Sequence, residues 1–343
     1  MSRAGRIVRV DPAAGIPGGE VSVECEGLDT GNLRSCGCLF GGERAHLVGL
    51  STRRALALVP EINGRGEIDV RLESDGQQSE AARFNLGGKL AEDLHPVTSP
   101  AFDPDDGALY VTRSGSRGQH FPVSIFRIDQ SGQMADFSGD ITNPTAIAFD
   151  KTGQMFVTSR LDGTVYRVTP FKDAVAFARN LGVATGLAFD REGRMYVGDR
   201  SGTIYRVNGI GEEKPWAQLE PSVSAYHMAF GPDDALYVTG PTVSSDDAVM
   251  RVDQNGEASV FYHGLGRPQG LAFDRDGNLY VAASMRGRRG IIRISPGGRD
   301  AEMAVAGMNV VGLAFSAAGD MVVATNEAVY SLPIGIHGTL LGS

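Results

Sequence analysis

One phrase recurs through the last three quarters of the chain, and it restricts the fold more than any other feature of the 343 residues. It reads Gly-Leu-Ala-Phe-Asp, two variable residues, Gly, one variable residue, then an aliphatic residue followed by Tyr and Val. Gly270 to Val281 is the clearest copy. The anchoring phenylalanines, Phe102, Phe149, Phe189, Phe230, Phe273 and Phe315, are separated by 47, 40, 41, 43 and 42 residues. That period holds four short strands, the content of one propeller blade. Six copies predict six blades.

Runs such as Val165-Tyr166-Arg167-Val168 and Ile204-Tyr205-Arg206-Val207 are β-branched and aromatic and are bounded by Gly, Asp and Pro, so they read as strands. No segment shows a convincing amphipathic helical period. The Asp-x-x-Gly after Phe149, Phe189 and Phe273 suits a type I turn whose last residue is left-handed. An open array of blades would expose strand edges, so closure is expected. Leu90-Ala91-Glu92-Asp93-Leu94 stands at the same offset before Phe102 as Phe177-Ala178-Arg179-Asn180-Leu181 does before Phe189. Residues 89–94 are therefore predicted to complete the blade formed by residues 312–332. The expected fold class is all-β: a β-sandwich over residues 1–88, where apolar positions alternate between frequent turn signals, followed by a six-bladed β-propeller over 89–343.

Hydrophobic residues at 42% and charged residues at 21% describe a globular chain. A net charge of -9 speaks against nucleic acid or an anionic membrane surface as a partner of the whole protein, and no apolar run is long enough to span a bilayer. The opening residues contain no apolar signal segment, so a cytoplasmic location is expected, with an extracellular or periplasmic one left open. Cys25, Cys36 and Cys38 are an odd set without the further ligands of a zinc site, and they read as structural thiols.

Residues 1–88 resemble an immunoglobulin-like IPT/TIG module. The likeness is carried by Pro12, Gly15-Ile16-Pro17-Gly18-Gly19, Val21-Ser22-Val23, Cys38-Leu39-Phe40-Gly41-Gly42-Glu43-Arg44-Ala45, Leu56-Ala57-Leu58-Val59-Pro60 and Gly66-Glu67-Ile68-Asp69-Val70. It implies a spacer or protein-contact domain. The repeat region resembles NHL-repeat propellers and the senescence-marker-protein/gluconolactonase lactonases, a likeness that specifies architecture better than activity. Those lactonases hold a divalent cation at the channel mouth with a Glu, an Asp and Asn side chains. Thr98-Ser99-Pro100, Ala184-Thr185-Gly186 and Ala225-Tyr226-His227 stand where the resemblance would require those carboxylates and amide. The Trp-Phe-Thr-Glu signature of virginiamycin-lyase-type propellers is absent, and Trp216 falls near an outer strand.

The position before each inner strand is expected at the channel mouth. It is occupied by Thr98, Thr145, Thr185, Tyr226, Gln269 and Val311, a neutral ring that suits a polar ligand better than Ca or Mg. A weaker metal alternative combines Asp199, His227 and Asn326, with His95 nearby. Loops on the same side carry Arg113, Arg117, Arg160, Arg200, Arg267, Arg286, Arg288 and Arg289, while the opposite turns carry aspartates. Neither a nucleophile elbow nor a phosphate-binding loop of Walker type occurs. The expectation is a non-catalytic, cofactor-free binding protein. Arg113, Arg160, Arg200, Arg267, Arg286 and Arg288, above a floor of Thr145, Thr185, Tyr226, His227 and Gln269, would engage an anionic small molecule, glycan or protein segment. The alternative is a lactonase or esterase that depends on a divalent cation.

Overall fold

The computed structural model describes residues 4–115, 119–138, 140–169, 171–244 and 246–339. Among them strands dominate, the one helical element is a 3-10 turn at Leu33–Ser35, and no helix is long and apolar enough to cross a membrane. Six four-stranded antiparallel units follow one another, each with the repeat's Ala-Phe strand at one end of its sheet. In the second blade the order is Pro144–Phe149, Met155–Ser159, Thr164–Val168 and Ala174–Ala178. The last blade takes its outer strand from far upstream: Gly88–Glu92 pairs with Ala328–Leu332, with Lys89 opposite Tyr330 and Glu92 opposite Ala328. The closing strand therefore starts at Gly88, inside the segment the sequence assigns to the sandwich.

The tight turns that follow Phe149, Phe189 and Phe273 are each built by the next aspartate. Asp150 Oδ1 accepts the amides of Thr152 at 2.8 Å and Gln154 at 3.0 Å, and Gly153 takes the left-handed conformation that the turn demands, with φ +77°. Asp190 and Asp274 accept the amides of Arg194 and Asn278 in the same way, each at 2.8 Å.

The phenylalanines hold blade to blade. Tyr110 packs on Phe149, Phe156 on Phe189, Tyr196 on Phe230, Tyr237 on Phe273 and Tyr280 on Phe315, with ring centroids 4.8–5.7 Å apart. Each pair joins the second strand of one blade to the inner strand of the next and contributes about 0.5–1.5 kcal/mol beyond area burial. The seam that closes the ring differs, because Val322 stands where the other blades have an aromatic, so Phe102 packs against aliphatic side chains.

The N-terminal unit is a two-sheet sandwich. One sheet runs Ala4–Asp11, Glu20–Leu28, Arg54–Leu58, His46–Ser51; the other contains Ala82–Leu86, Gly66–Ser74 and Gly37–Phe40. Val21, Val23, Phe40, Val70, Leu72 and Phe84 fill the space between them together with the free thiols Cys25 and Cys38. Burial pushes the Cys38 thiol up to about 12, assisted by Cys25.

The sandwich and propeller share a sheet. The two-residue strand Ala14–Gly15 lies parallel to both Ala82–Leu86 of the sandwich and Ala301–Ala306 of the fifth blade, producing one sheet of 10 strands. Ile16 N donates to Ala306 O at 2.9 Å, and a Cβ on Gly19 would sit 2.5 Å from that same oxygen, so the approach needs glycine.

Candidate functional site

The inner strands start at one face of the ring, among the longer loops, and end at the other, among the Asp-x-x-Gly turns. At the loop face the polar ring is present but closed. Thr98 Oγ1 donates to Thr145 O at 2.5 Å, Tyr226 N donates to Thr185 Oγ1 at 3.0 Å, and Thr239 Oγ1 donates to Gln269 O. Gly270 N donates to Val311 O at 3.0 Å and Leu313 N to Ser99 Oγ at 3.3 Å. These bonds strap blade to blade.

Backbones also meet there. A Cβ on Gly312 would lie 2.4 Å from Ser99 Cα, and one on Gly270 would lie 2.4 Å from Gly312 Cα. In place of an open polar mouth, Thr145, Thr185 and Tyr226 are buried, with hydroxyls occupied by backbone oxygens; the Tyr226 hydroxyl donates to Glu220 O. Gln269 is half-buried. Of the expected ligand-facing floor, the Thr145, Thr185 and Tyr226 hydroxyls are thus bonded to nearby backbone oxygens, while His227 Nε2 is not.

His227 occupies the place held in other blades by Ser99, Ala146, Gly186, Gly270 and Gly312. It is 5% exposed, its Nε2 has no hydrogen-bond partner, and burial pushes its pKa down to about 3. The imidazole is neutral at physiological pH.

The metal alternative does not assemble. Asp199 Oδ1 accepts the amides of Val183 at 2.8 Å and Ser201 at 3.1 Å, while Asp199 Oδ2 accepts the Ser201 hydroxyl. Asn326 offers its backbone oxygen to His95 Nδ1 at 3.1 Å. Among the described residues no group of three or more His, Cys, Asp or Glu could hold a metal ion.

The arginines divide into two groups. Arg113, Arg160 and Arg200 lie on consecutive blades. Arg113 stacks over Phe121 with its guanidinium carbon 4.4 Å from the ring centroid. Arg160 donates to Gly115 O at 2.6 Å, and burial, with repulsion from Arg200 second, holds its guanidinium below the ordinary arginine value. Among the described residues none of the three forms an ion pair with a carboxylate. Arg267 and Arg286 sit on exposed loops of the fifth blade with φ of 48° and 51°. Arg288 is turned away to the domain joint, where Nη1 donates to Asp11 O at 2.9 Å and Nη2 to Asp11 Oδ2 at 2.8 Å. Its expected place among ligand donors is thus taken by a structural role. Arg117 lies outside the described residues.

The turn face is open. A cavity of about 1350 Å³ occupies the end of the channel where the inner strands finish. The sequence pattern did not point there, because Leu-Ala-Phe reads as packing and the aspartates read as turn residues.

Comparison with known proteins agrees with this architecture. A family model described as strictosidine synthase-like, N-terminal, matches residues 186–207 in the third blade. No curated protein matches the chain. Among solved structures, regucalcin, a calcium-binding protein from Agrobacterium tumefaciens, is 18% identical over 74% of this chain and 95% of its own, with a TM-score of 0.60. A gluconolactonase from Xanthomonas campestris is 17% identical over 71% of this chain and 88% of its own, with a TM-score of 0.58. An auxiliary nutrient binding protein from Bacteroides ovatus is 16% identical over 96% of this chain and 98% of its own, with a TM-score of 0.55. These likenesses show the fold, a β-propeller. Enzymes and binding proteins share it, so the residues must choose between them.

Proposed function

We propose that the protein is a non-catalytic binding protein whose loop face takes an anionic small molecule, glycan or protein segment. The observation that carries this reading is the pair Arg160 and Arg200. They stand on neighbouring blades at the loop face, Arg160 with its guanidinium donating to Gly115 O, and neither pairs with a carboxylate among the described residues. Unpaired guanidinium groups suit an anion, to which arginine offers parallel donors. Arg113 extends the cationic arc on one side, and Arg267 and Arg286 stand on the loops of the fifth blade. The N-terminal sandwich, in its likeness to IPT/TIG modules, serves as a rigid spacer.

Titration calorimetry with citrate and with inorganic pyrophosphate tests this. Binding is expected at low salt, weakening as ionic strength rises, and falling about ten-fold or more in the double variant Arg160→Leu/Arg200→Leu. Salt-independent binding, or full affinity in the double variant, would refute the reading.

The gluconolactonase likeness of the propeller supports a second reading, a lactonase or esterase that depends on Ca or Mg. Hydrolysis of gluconolactone that a chelator abolishes and added metal restores would put the second reading first.

A further inference from the structure

We propose that the cavity at the turn face is a second, separate binding site, and that its ligand is a small organic cation with an apolar body and a protonated amine. At about 1350 Å³ the space exceeds the roughly 300–1000 Å³ typical of small-molecule pockets. Its throat is walled by the repeat itself, including Leu187, Met228, Leu271 and Leu313 from four successive blades. Every inner strand is also a free sheet edge, which presents backbone donors and acceptors to the axis.

Segments outside the repeat complete the wall and are fastened in place. The sandwich contributes Glu61 to Arg65, anchored where Arg65 Nη1 donates to Ser331 Oγ at 2.8 Å. The C-terminal segment contributes Gly338 and Thr339, and Thr339 N and Oγ1 donate to Phe273 O and Asp274 O, each at 3.0 Å.

The charge on the rim selects the ligand. The lining cations are already neutralised: Arg65 by Asp320 at 3.4 Å, Lys89 by Glu92 at 3.0 Å and Arg191 by Asp234 at 3.1 Å. Glu61, Asp103, Asp105, Asp129 and Asp150 also line the cavity and pair with no cation among the described residues. Three of them fall on one arc, because Asp105 of the first blade reaches the second blade's turn, where a Cβ on Gly153 would be 2.5 Å from its Oδ2. Asp103 and Asp150 commit Oδ1 to their own turns, accepting the amides of Asp105 and Thr152, each at 2.8 Å. Their Oδ2 atoms remain for a ligand. An ammonium group on this arc, with its apolar body in the throat, satisfies both halves of the cavity.

The test is a fluorescence titration of the full chain with dansylcadaverine, which joins an apolar ring to a primary ammonium, against its N-acetylated, uncharged counterpart. The cationic probe is expected to bind one per chain and about ten-fold tighter than the acetylated one, a margin that shrinks with salt. The double variant Asp103→Asn/Asp150→Asn retains the turn-forming Oδ1 and should abolish that margin while both probes still bind. Filling the throat with Ala229→Leu should weaken both. The proposal is overturned if neither probe binds, if the acetylated probe binds as tightly, or if the Asn variant keeps the margin.

Discussion

The two ends of the ring are made by the same repeat and come out opposite. At the loop face small residues let the inner strands touch, and threonine hydroxyls are spent on neighbouring carbonyls. At the turn face the same strands line a cavity rimmed by carboxylates. The contrast follows from position within the phrase: a small residue comes before the Leu-Ala-Phe strand in every blade but that of His227, and a turn comes after it. Repetition of a sequence motif therefore does not imply equivalence of the surfaces it generates.

Substitutions that add bulk at each end give the largest expected effect. Gly312→Val forces a side chain into Ser99 Cα and N, at 2.4 and 2.5 Å from the Cβ position, and should cost about 3 kcal/mol or more. Ala229→Leu, facing the turn-face cavity, should cost under about 1 kcal/mol. Urea denaturation midpoints compare the two, and equal losses would erase the distinction.

The next effect depends on pH and concerns the loop-face ring alone. Burial keeps His227 neutral in the fold down to about pH 3, whereas the unfolded chain gains the proton near its ordinary value of 6.5. Stability is therefore fully present above about pH 6.5 and falls as pH is lowered toward 3, by at most about 1.4 kcal/mol per pH unit from this group. Replacing His227 by Phe should flatten that slope, measured by denaturation across the acid range.

Smaller still is the difference between arginines on the loop face. Arg288→Ala removes a partly buried ion pair and a bond to the Asp11 carbonyl, so a stability loss of about 1–2 kcal/mol is expected with pyrophosphate binding unchanged. Arg200→Leu should do the reverse. The mildest contrast lies in the turns: Asp150→Ala should cost about 1 kcal/mol through lost amide acceptance, and Asp150→Asn only a few tenths.

The ring was legible because its period is carried by residues with one physical job each. The phenylalanines pack across seams, the aspartates accept turn amides, and the glycines take positive φ. Leu90 and Ala91 pointed to the closing strand by their offset alone. What escaped was tertiary. Ala14–Gly15 is too short to show any periodicity, yet it joins the two units. Thr145 and Thr185 read as ligand groups because nothing local reveals that the next blade claims them. Arg288 was grouped with its neighbours by loop position, while Asp11, far away in sequence, decides its direction. Asp199, His227 and Asn326 were grouped by the end of the ring they share, but Asp199 spends both carboxylate oxygens on Val183 and Ser201.

The shared sheet at Ala14–Gly15 has a mechanical corollary. A spacer joined by a flexible tether can swivel, whereas one hydrogen-bonded into blade five can turn only by breaking strand pairs on both flanks of a two-residue splice. Load applied to the sandwich is thus delivered directly into the propeller wall, and anything docked on the sandwich is held at a fixed bearing from both faces of the ring.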